Sequence, residues 1–129
     1  MKVSFTEMKS IPSGATMMNY KELSEFSKEL KHLSKKYCSL DKDFTLFKKL
    51  LDSEPLGTNK HFNVLTIAGD VKIVKARLFC QTLRGTSLRI IYSYNGTEIE
   101  FIEFIELYFK GNKEVEDNER IKKYLKNIL

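Results

Sequence analysis

The chain has 129 residues, of which 42% are hydrophobic and 30% charged, so we expect one folded domain rather than a disordered or low-complexity chain. No apolar run reaches the length of a membrane span, and the N-terminus lacks the apolar core of a signal peptide, so we expect a cytoplasmic protein without membrane contact. The net charge is +5, and residues 71–97 account for all of it, with five cations and no carboxylate.

Cysteine and histidine are too few and too scattered to indicate a metal centre. Cys38 and Cys80 lack metal-binding or redox spacing, and we interpret both as buried or half-buried free thiols. His32 and His61 are isolated and have no paired cysteines beside them. We therefore expect no metal and no cofactor.

The first half of the chain predicts helices. Residues 1–15 are weakly patterned and are interpreted as an N-terminal extension with room for one short strand, while residues 15–22 are a candidate first strand. Apolar residues then recur at spacings of three and four, which is typical of two amphipathic helices, here antiparallel neighbours joined by a short break. The two stripes are Leu23, Phe26, Leu30, Leu33 and Tyr37, then Leu40, Phe44, Phe47, Leu50 and Leu51.

Polar and turn residues set the predicted ends of these helices. Ser24 is a candidate N-cap of the first helix, and Ser39 or Asp41 of the second. Pro55 cannot continue the second helix, and Gly57 supplies the turn that follows it.

From residue 61 onward the pattern is that of β-strands. The segments HFNVLTI, VKIVKARLFC, LRIIYSY and EIEFIEFIELYF are separated by turn residues, and Asn95–Gly96 predicts a two-residue hairpin. NERIKKYLKNIL then predicts a C-terminal helix capped by Asp117 or Asn118. We therefore predict an α+β fold, in which an N-terminal helical hairpin packs on one face of a small twisted antiparallel sheet and a C-terminal helix follows.

Strand alternation gathers cations on one face of the predicted sheet. Lys75 and Arg77 share the face opposite the apolar positions that should meet the helices, and Arg89 of the next strand joins them if it faces the same way. Adjacent like charges lower stability unless an anion binds, and arginine binds phosphate in a bidentate way. The cluster therefore favours a polyanion or an acidic protein as partner. An ion pair with Glu103 or Glu106 across the sheet is the structural alternative.

Two stretches of the sequence resemble a known family. KARLFCQTLRGTSLRIIYSY and the later FIEFIELYFKGNKEVEDNERIKKYL are similar to the RelE/ParE superfamily of bacterial and archaeal toxins, closest to its RelE-like mRNA interferases. The resemblance covers residues 16–129 as a single domain. It implies the toxin of a type II toxin–antitoxin system, a ribosome-dependent endoribonuclease that needs no metal and cleaves mRNA by attack of a 2′-hydroxyl on the scissile phosphate.

The resemblance also implies which residues form the site. It assigns Arg77 and Arg89 to binding of the phosphate and its transition state. It makes Lys75 a candidate for proton transfer or electrostatic stabilisation, and Tyr108 a candidate for base stacking or proton transfer. The general acid and base are unassigned, because the chain lacks the C-terminal histidine of several ribosome-dependent relatives. Further RNA contacts are expected from Lys72, Arg84, Lys110 and Lys113.

The expected partners are a cognate antitoxin and ribosome-bound mRNA. The antitoxin would neutralise the basic face or cover a sheet edge. The oligomeric state is left open. Because a fold does not fix a function, two alternatives stand beside the nuclease: a ParE-like gyrase inhibitor, or a non-catalytic relative that binds nucleic acid or an antitoxin.

Overall fold

The computed structural model describes residues 18–57, 59–97 and 99–128, so the predicted extension at residues 1–15 lies outside the described residues. Within them, three helices and five strands confirm the α+β class, and the first strand lies in the candidate segment 15–22. In chain order the elements are β1 (Asn19–Glu22), α1 (Ser24–Lys36), α2 (Leu40–Ser53), β2 (Phe62–Ala68), β3 (Val71–Cys80), β4 (Gly85–Asn95), β5 (Phe101–Phe109) and α3 (Asn118–Ile128).

The five strands form one mixed sheet in the order β1-β5-β4-β3-β2. β2 to β5 are antiparallel neighbours, but β1 runs parallel to β5, with Asn19 opposite Phe101. The predicted arrangement, in which an N-terminal helical hairpin packs on a purely antiparallel sheet, is therefore wrong, because β1 precedes the hairpin and joins the sheet in parallel. A parallel pair requires a long connection, and here α1, α2 and the three following strands supply it.

Helices cover both faces of the sheet, which corrects the prediction that they pack on one face. On the first face, α1 and α2 bury their apolar stripes against alternate residues of β3 and β4, such as Ala76 and Ile90. On the second face, Ile121 and Tyr124 of α3 pack on apolar residues that include Ile73. The second face is apolar at this end of β3 and cationic at the other. α3 covers the apolar end. At the cationic end the loop before α3 reaches Lys75 and Tyr108 and leaves Arg77 exposed.

Aromatic rings fill the core between the helical hairpin and the sheet. The ring centroid of Phe104 in β5 lies 5.3 Å from that of Phe26, 4.9 Å from that of Phe44 and 6.1 Å from that of Tyr92. Such pairs contribute about 0.5–1.5 kcal/mol each beyond their buried area. This packing fixes α1 and α2 against the sheet and so gives the opposite face a rigid base.

Side chains cover the edge of β5 where the short β1 has ended. The Oε1 atom of Glu29 accepts a hydrogen bond from the backbone N–H of Leu107, and Arg120 donates one to the carbonyl of Ile105. Glu29 and Arg120 also form an ion pair, with 2.9 Å between Oε2 and Nη2. This pair, which we call the edge clasp, links α1 on the first face to α3 on the second.

The helix ends agree in part with the predicted caps. Asp117 caps α3, because its Oδ1 atom accepts a hydrogen bond from the backbone N–H of Arg120. Ser39 occupies the N-cap of α2, although its side chain does not bond to the helix backbone there. Leu23, not Ser24, is the N-cap of α1, because the backbone N–H of Leu23 still bonds to a carbonyl of β5.

The remaining local predictions have mixed outcomes. Gly57 has φ +66°, as expected for the glycine that follows α2. The two-residue hairpin at Asn95–Gly96 is wrong, because Asn95 pairs with Phe101 and residues 96–100 connect the strands. Cys80 is buried as predicted, but Cys38 is exposed.

No helix among the described residues is both long and apolar enough to cross a membrane.

Candidate functional site

Two arginines and a tyrosine form a row across the cationic end of the sheet. Arg77 of β3 lies directly opposite Arg89 of β4, and Arg89 lies directly opposite Tyr108 of β5. The strand alternation of β3 places Arg77 on the second face, as predicted, and Arg89 of β4 faces the same way, which the sequence left open. Arg77 is exposed, whereas Arg89 is only 8% exposed and Tyr108 only 6%. The row therefore runs from the solvent into the protein.

Carboxylates neutralise neither arginine. Within the described ranges, Arg77 and Arg89 take part in no salt bridge. Arg89 instead donates from Nη1 to the backbone carbonyls of Thr86 and Leu88. Its burial, and secondarily the charge of Arg77, lower the pKa of Arg89 below its usual value. Two guanidinium groups thus lie side by side with their repulsion uncompensated.

The acidic residues of β5 have other partners, so the ion pair considered from the sequence does not form. Glu106 is fully buried, where it pairs with Lys113 and accepts a hydrogen bond from the backbone N–H of Asp117. Glu103 accepts a hydrogen bond from the hydroxyl of Tyr124. Both carboxylates therefore secure α3 and the loop before it, not the arginines.

Lys75 lies on the same face but is not free. Its Nζ atom is 2.8 Å from Oε1 of Glu116, a residue in the loop before α3. Burial alone would lower the pKa of Lys75, but the hydrogen bond to Glu116 and the nearby Tyr108 outweigh it and raise that pKa. Burial likewise opposes ionisation of Glu116, yet the bond from Lys75 lowers its pKa. Glu116 therefore holds Lys75 as a charged, oriented ammonium group.

The hydroxyl of Tyr108 is buried without a hydrogen-bond partner. Burial, as the largest cause, raises the pKa of Tyr108, although the neighbouring Lys75 opposes the shift. The ring is held from one side by Lys113, whose Nζ atom lies 5.3 Å from the ring centroid. Tyr108 is consequently a protonated hydroxyl whose position is set by packing. It feels the nearby Lys75 ammonium, but it makes no hydrogen bond of good geometry within the described residues.

A cleft of about 330 Å³ opens beside this row. The side chains lining it include five cations and one histidine but no carboxylate. This cleft, which we call the basic cleft, is lined by Lys60, His61, Phe62, Asn63, Lys75, Ala76, Arg77, Arg89 and Lys110.

Lys60 and His61 belong to the site, although the sequence analysis did not place them there. They precede β2, whose start lies beside β3, and the carbonyl of His61 accepts a hydrogen bond of 3.0 Å from the backbone N–H of Arg77. Nδ1 of His61 is, with the hydroxyl of Tyr108, one of two buried side-chain polar atoms without a partner among the described residues. Loop residues carry no periodic signal, so only the adjacency of Lys60 and His61 to a strand could have suggested them.

Three of the expected RNA-contacting residues lie away from the basic cleft. Lys72 points to the first face of the sheet, since it alternates with Val74 and Ala76 there. Arg84 is exposed in the turn between β3 and β4, and Lys113 is paired with Glu106. Of the four residues expected from the sequence, the cleft contains Lys110 alone.

The basic cleft has the features of an anion site. Five cations converge on one concavity, Nδ1 of His61 in its lining has no partner among the described residues, and no carboxylate competes from the lining. An anion with several oxygens, such as a phosphodiester, matches this arrangement because arginine binds it in a bidentate way.

The chain matches no family model, no curated protein and no solved structure.

Proposed function

We propose that the basic cleft binds the phosphate backbone of RNA and that the protein is the toxin of a type II toxin–antitoxin system, a RelE-like endoribonuclease that cleaves mRNA on the ribosome. The observation that carries the proposal is the row of Arg77, Arg89 and Tyr108 beside a cleft lined by cations without carboxylates. The sequence resemblance to RelE-like mRNA interferases supports it. The proposed partners are a cognate antitoxin and ribosome-bound mRNA.

The chemistry proposed for the site is an internal transesterification. The 2′-oxygen of a ribose attacks the adjacent phosphorus, the P–O5′ bond breaks, and the products are a 2′,3′-cyclic phosphate and a 5′-hydroxyl. One proton leaves the 2′-hydroxyl and one reaches the 5′-oxygen, so no water or metal-bound hydroxide is consumed. The negative charge that develops on the phosphorane is where positioned cations contribute most.

Each role has a candidate among the residues of the site. Arg77 and Arg89 bind the non-bridging oxygens, and Lys75, held by Glu116, adds positive charge beside them. Tyr108, protonated because burial raises its pKa, donates a hydrogen bond to a phosphate oxygen. The imidazole of His61 can accept or donate a proton and is the candidate for proton transfer.

A second function is favoured by one observation. The Oε1 atom of Glu116 lies 2.8 Å from the Nζ atom of Lys75, so one of the cations that would contact the phosphate already has an anionic partner. This supports a non-catalytic relative that binds nucleic acid or an antitoxin through the remaining cations. Both functions require RNA or another anion in the basic cleft, and they differ in whether the chain is cut.

The test is induced expression of the wild-type chain, followed by mapping of the 5′ ends of cellular mRNA. We expect cuts in translated frames at a fixed position within codons. The Arg77→Ala, Arg89→Ala double variant should lose cleavage by at least about 10²-fold, the effect of removing one group that stabilises transition-state charge. The matched control is Lys31→Ala, Lys35→Ala, which removes two exposed cations from α1 on the first face.

Each result has a defined meaning. Unchanged cleavage in the folded double arginine variant contradicts the site. RNA binding without cleavage by the wild type favours the non-catalytic function. Growth arrest with intact mRNA favours gyrase as the target.

A further inference from the structure

A groove runs on from the basic cleft over the open edge of β3. β2 begins at Phe62, opposite Ala76, so the last residues of β3 have no strand neighbour on that side. The space beside them, of about 350 Å³, is bordered by α2, by the loop before β2 and by the end of β3. His61, Phe62 and Arg77 line both this groove and the basic cleft. The two concavities therefore form one continuous surface.

The groove is apolar where the cleft is cationic. Its walls carry side chains that are exposed although they are large and apolar: Leu46 is 54% exposed, Leu50 44% and Phe79 55%. Polar groups are present at its border, since Asn59, Thr86 and Asp43 also line it. Asp43 is buried, and its carboxylate accepts hydrogen bonds from the hydroxyl of Ser39 and the backbone N–H of Gln81. The Oδ1 atom of Asn59 accepts a hydrogen bond from the backbone N–H of His61, which leaves its amide N–H groups for another acceptor.

Phe79 lies at an irregularity between β3 and β4. Leu78 is opposite Leu88 and Cys80 is opposite Gly85, so Phe79 faces two residues of β4, which carries the extra residue of the bulge. Such bulges increase the local twist and are common next to functional sites. Phe79 follows Arg77 by two residues, about 7 Å along the strand, so an aromatic ring stands next to a phosphate-binding group.

We propose that this groove binds a nucleobase of the RNA whose phosphate occupies the basic cleft, with the base stacked on Phe79. The inference rests on the proposed function and extends it, because it makes the ligand single-stranded RNA with an unstacked base next to the bound phosphate. A base has an apolar face and a polar edge, which match the leucines and Phe79 on one side and Asn59 and Thr86 on the other. Stacking on an aromatic side chain accepts every base, so the groove adds affinity without strict sequence preference.

The first test compares a short single-stranded RNA with an oligomer of the same length that has abasic sites. The wild type should bind the RNA about 5- to 150-fold more tightly than the abasic oligomer, which corresponds to about 1–3 kcal/mol for one stacked base. Phe79→Ala should abolish this difference and leave the affinity for the abasic oligomer unchanged. Ile67→Ala removes an equally exposed apolar side chain at the far end of β2 and should preserve the difference.

The second test uses the absence of tryptophan from the chain. Phe79→Trp introduces the single tryptophan of the chain in the groove, and Ile67→Trp introduces it at a matched exposed position; either can be excited separately from the six tyrosines. RNA should quench the fluorescence of the Phe79→Trp variant, the abasic oligomer should quench it much less, and neither should affect the Ile67→Trp variant. Phe79→Trp should also retain the preference for RNA, because indole stacks at least as well as phenyl.

The outcomes separate the two proposals. If the wild type binds RNA and the abasic oligomer equally, the nucleobase groove is wrong while phosphate binding stands. If Phe79→Ala weakens both ligands alike, the residue acts on the fold or the cleft and the groove is again contradicted. If the wild type binds neither ligand, the proposed function itself fails.

Discussion

Tyr108 has a hydroxyl that folding buries without a hydrogen bond, and such a group costs about 1–3 kcal/mol relative to a satisfied one. Tyr108 lies opposite Arg89, which lines the basic cleft, and a buried polar group next to such a site is the arrangement expected when the partner is a ligand. The uncompensated pair Arg77 and Arg89 has the same character, because it is repulsive in the free protein and favourable once an anion binds.

Removing the Tyr108 hydroxyl should therefore separate stability from activity. We expect Tyr108→Phe to leave the free energy of unfolding unchanged or to raise it by up to about 1 kcal/mol. RNA cleavage should fall by at least about 10-fold, because a donor to the phosphate is lost. Urea unfolding and the mRNA assay provide the two readouts.

The control for this variant is Tyr124→Phe. The hydroxyl of Tyr124 bonds to Ser93 at 2.7 Å and to Glu103 at 3.0 Å, so its removal should lower stability by about 0.5–1.5 kcal/mol. A loss of stability in Tyr108→Phe as large as that in Tyr124→Phe would contradict the unpartnered state of Tyr108.

The Glu116→Gln variant tests whether the carboxylate competes with RNA for Lys75. We expect RNA affinity to rise by up to about 5-fold, the equivalent of the up to about 1 kcal/mol that a partly exposed ion pair contributes. Glu119→Gln is the matched control, because it makes the same change in net charge at an exposed pair on α3, and it should change RNA affinity little. Lower affinity in Glu116→Gln would instead show that the carboxylate positions Lys75 for the ligand.

The same pair predicts a pH dependence of stability. Glu116 has a lowered pKa in the folded state, so its contribution is present above its unfolded pKa of about 4.5 and is lost as the pH falls through the folded value. Lys75 has a raised pKa, so its contribution is present below about 10.5 and is lost as the pH rises through the folded value. The stability advantage of wild type over Glu116→Gln should therefore be largest between these limits and disappear beyond them, which urea unfolding across pH can measure.

Helices and strands could be predicted from the sequence where apolar residues recur with the period of a helix or a strand. Alternation in β3 placed Lys75 and Arg77 on one face but left open whether Arg89 of β4 faces the same way, and the helical stripes predicted α1 and α2. The same reasoning did not find Glu116 or His61, because both lie in loops whose positions depend on tertiary packing. It also placed α3 on the wrong face, although Ile73 lies on the second face and marks that face as partly apolar.

The edge clasp connects elements on opposite faces, so its removal should weaken their mutual packing. We expect Arg120→Ala to lower the free energy of unfolding by about 1–3 kcal/mol, because it leaves Glu29 and the carbonyl of Ile105 without a charged donor. A double-mutant cycle with Glu29→Gln should give a coupling energy of about 0.5–3 kcal/mol. Additive effects of the two substitutions would mean that the pair does not act as a unit.

At the scale of the whole molecule, charge is concentrated on one side of the sheet. Four cations of the basic cleft, other than Lys75, form no salt bridge within the described residues. Each phosphate that they neutralise should contribute about −0.7 to the slope of log K against log salt for single-stranded RNA, so we expect a total slope of about −3.

Single substitutions should change that slope in a predictable way. Arg77→Ala should reduce its magnitude by about 0.7, whereas Lys31→Ala should not change it. Binding titrations at several salt concentrations provide the measurement. A slope near zero for the wild type would mean that phosphate contacts do not dominate binding.

The parallel pairing of β1 with β5 has a consequence for when the chain can fold. Asn19 pairs with Phe101, so the ribosome must synthesise about 80 further residues before β1 has a neighbour. Strand pairs so distant in sequence form late, since the entropy cost of closing the loop between them arises before any contact stabilises the pair. The end of β5 that the edge clasp covers is completed later still, after Arg120 has emerged from the ribosome. The sheet that carries the basic cleft therefore becomes complete only after Arg120 has been synthesised, and a nascent chain shorter than this has no finished site.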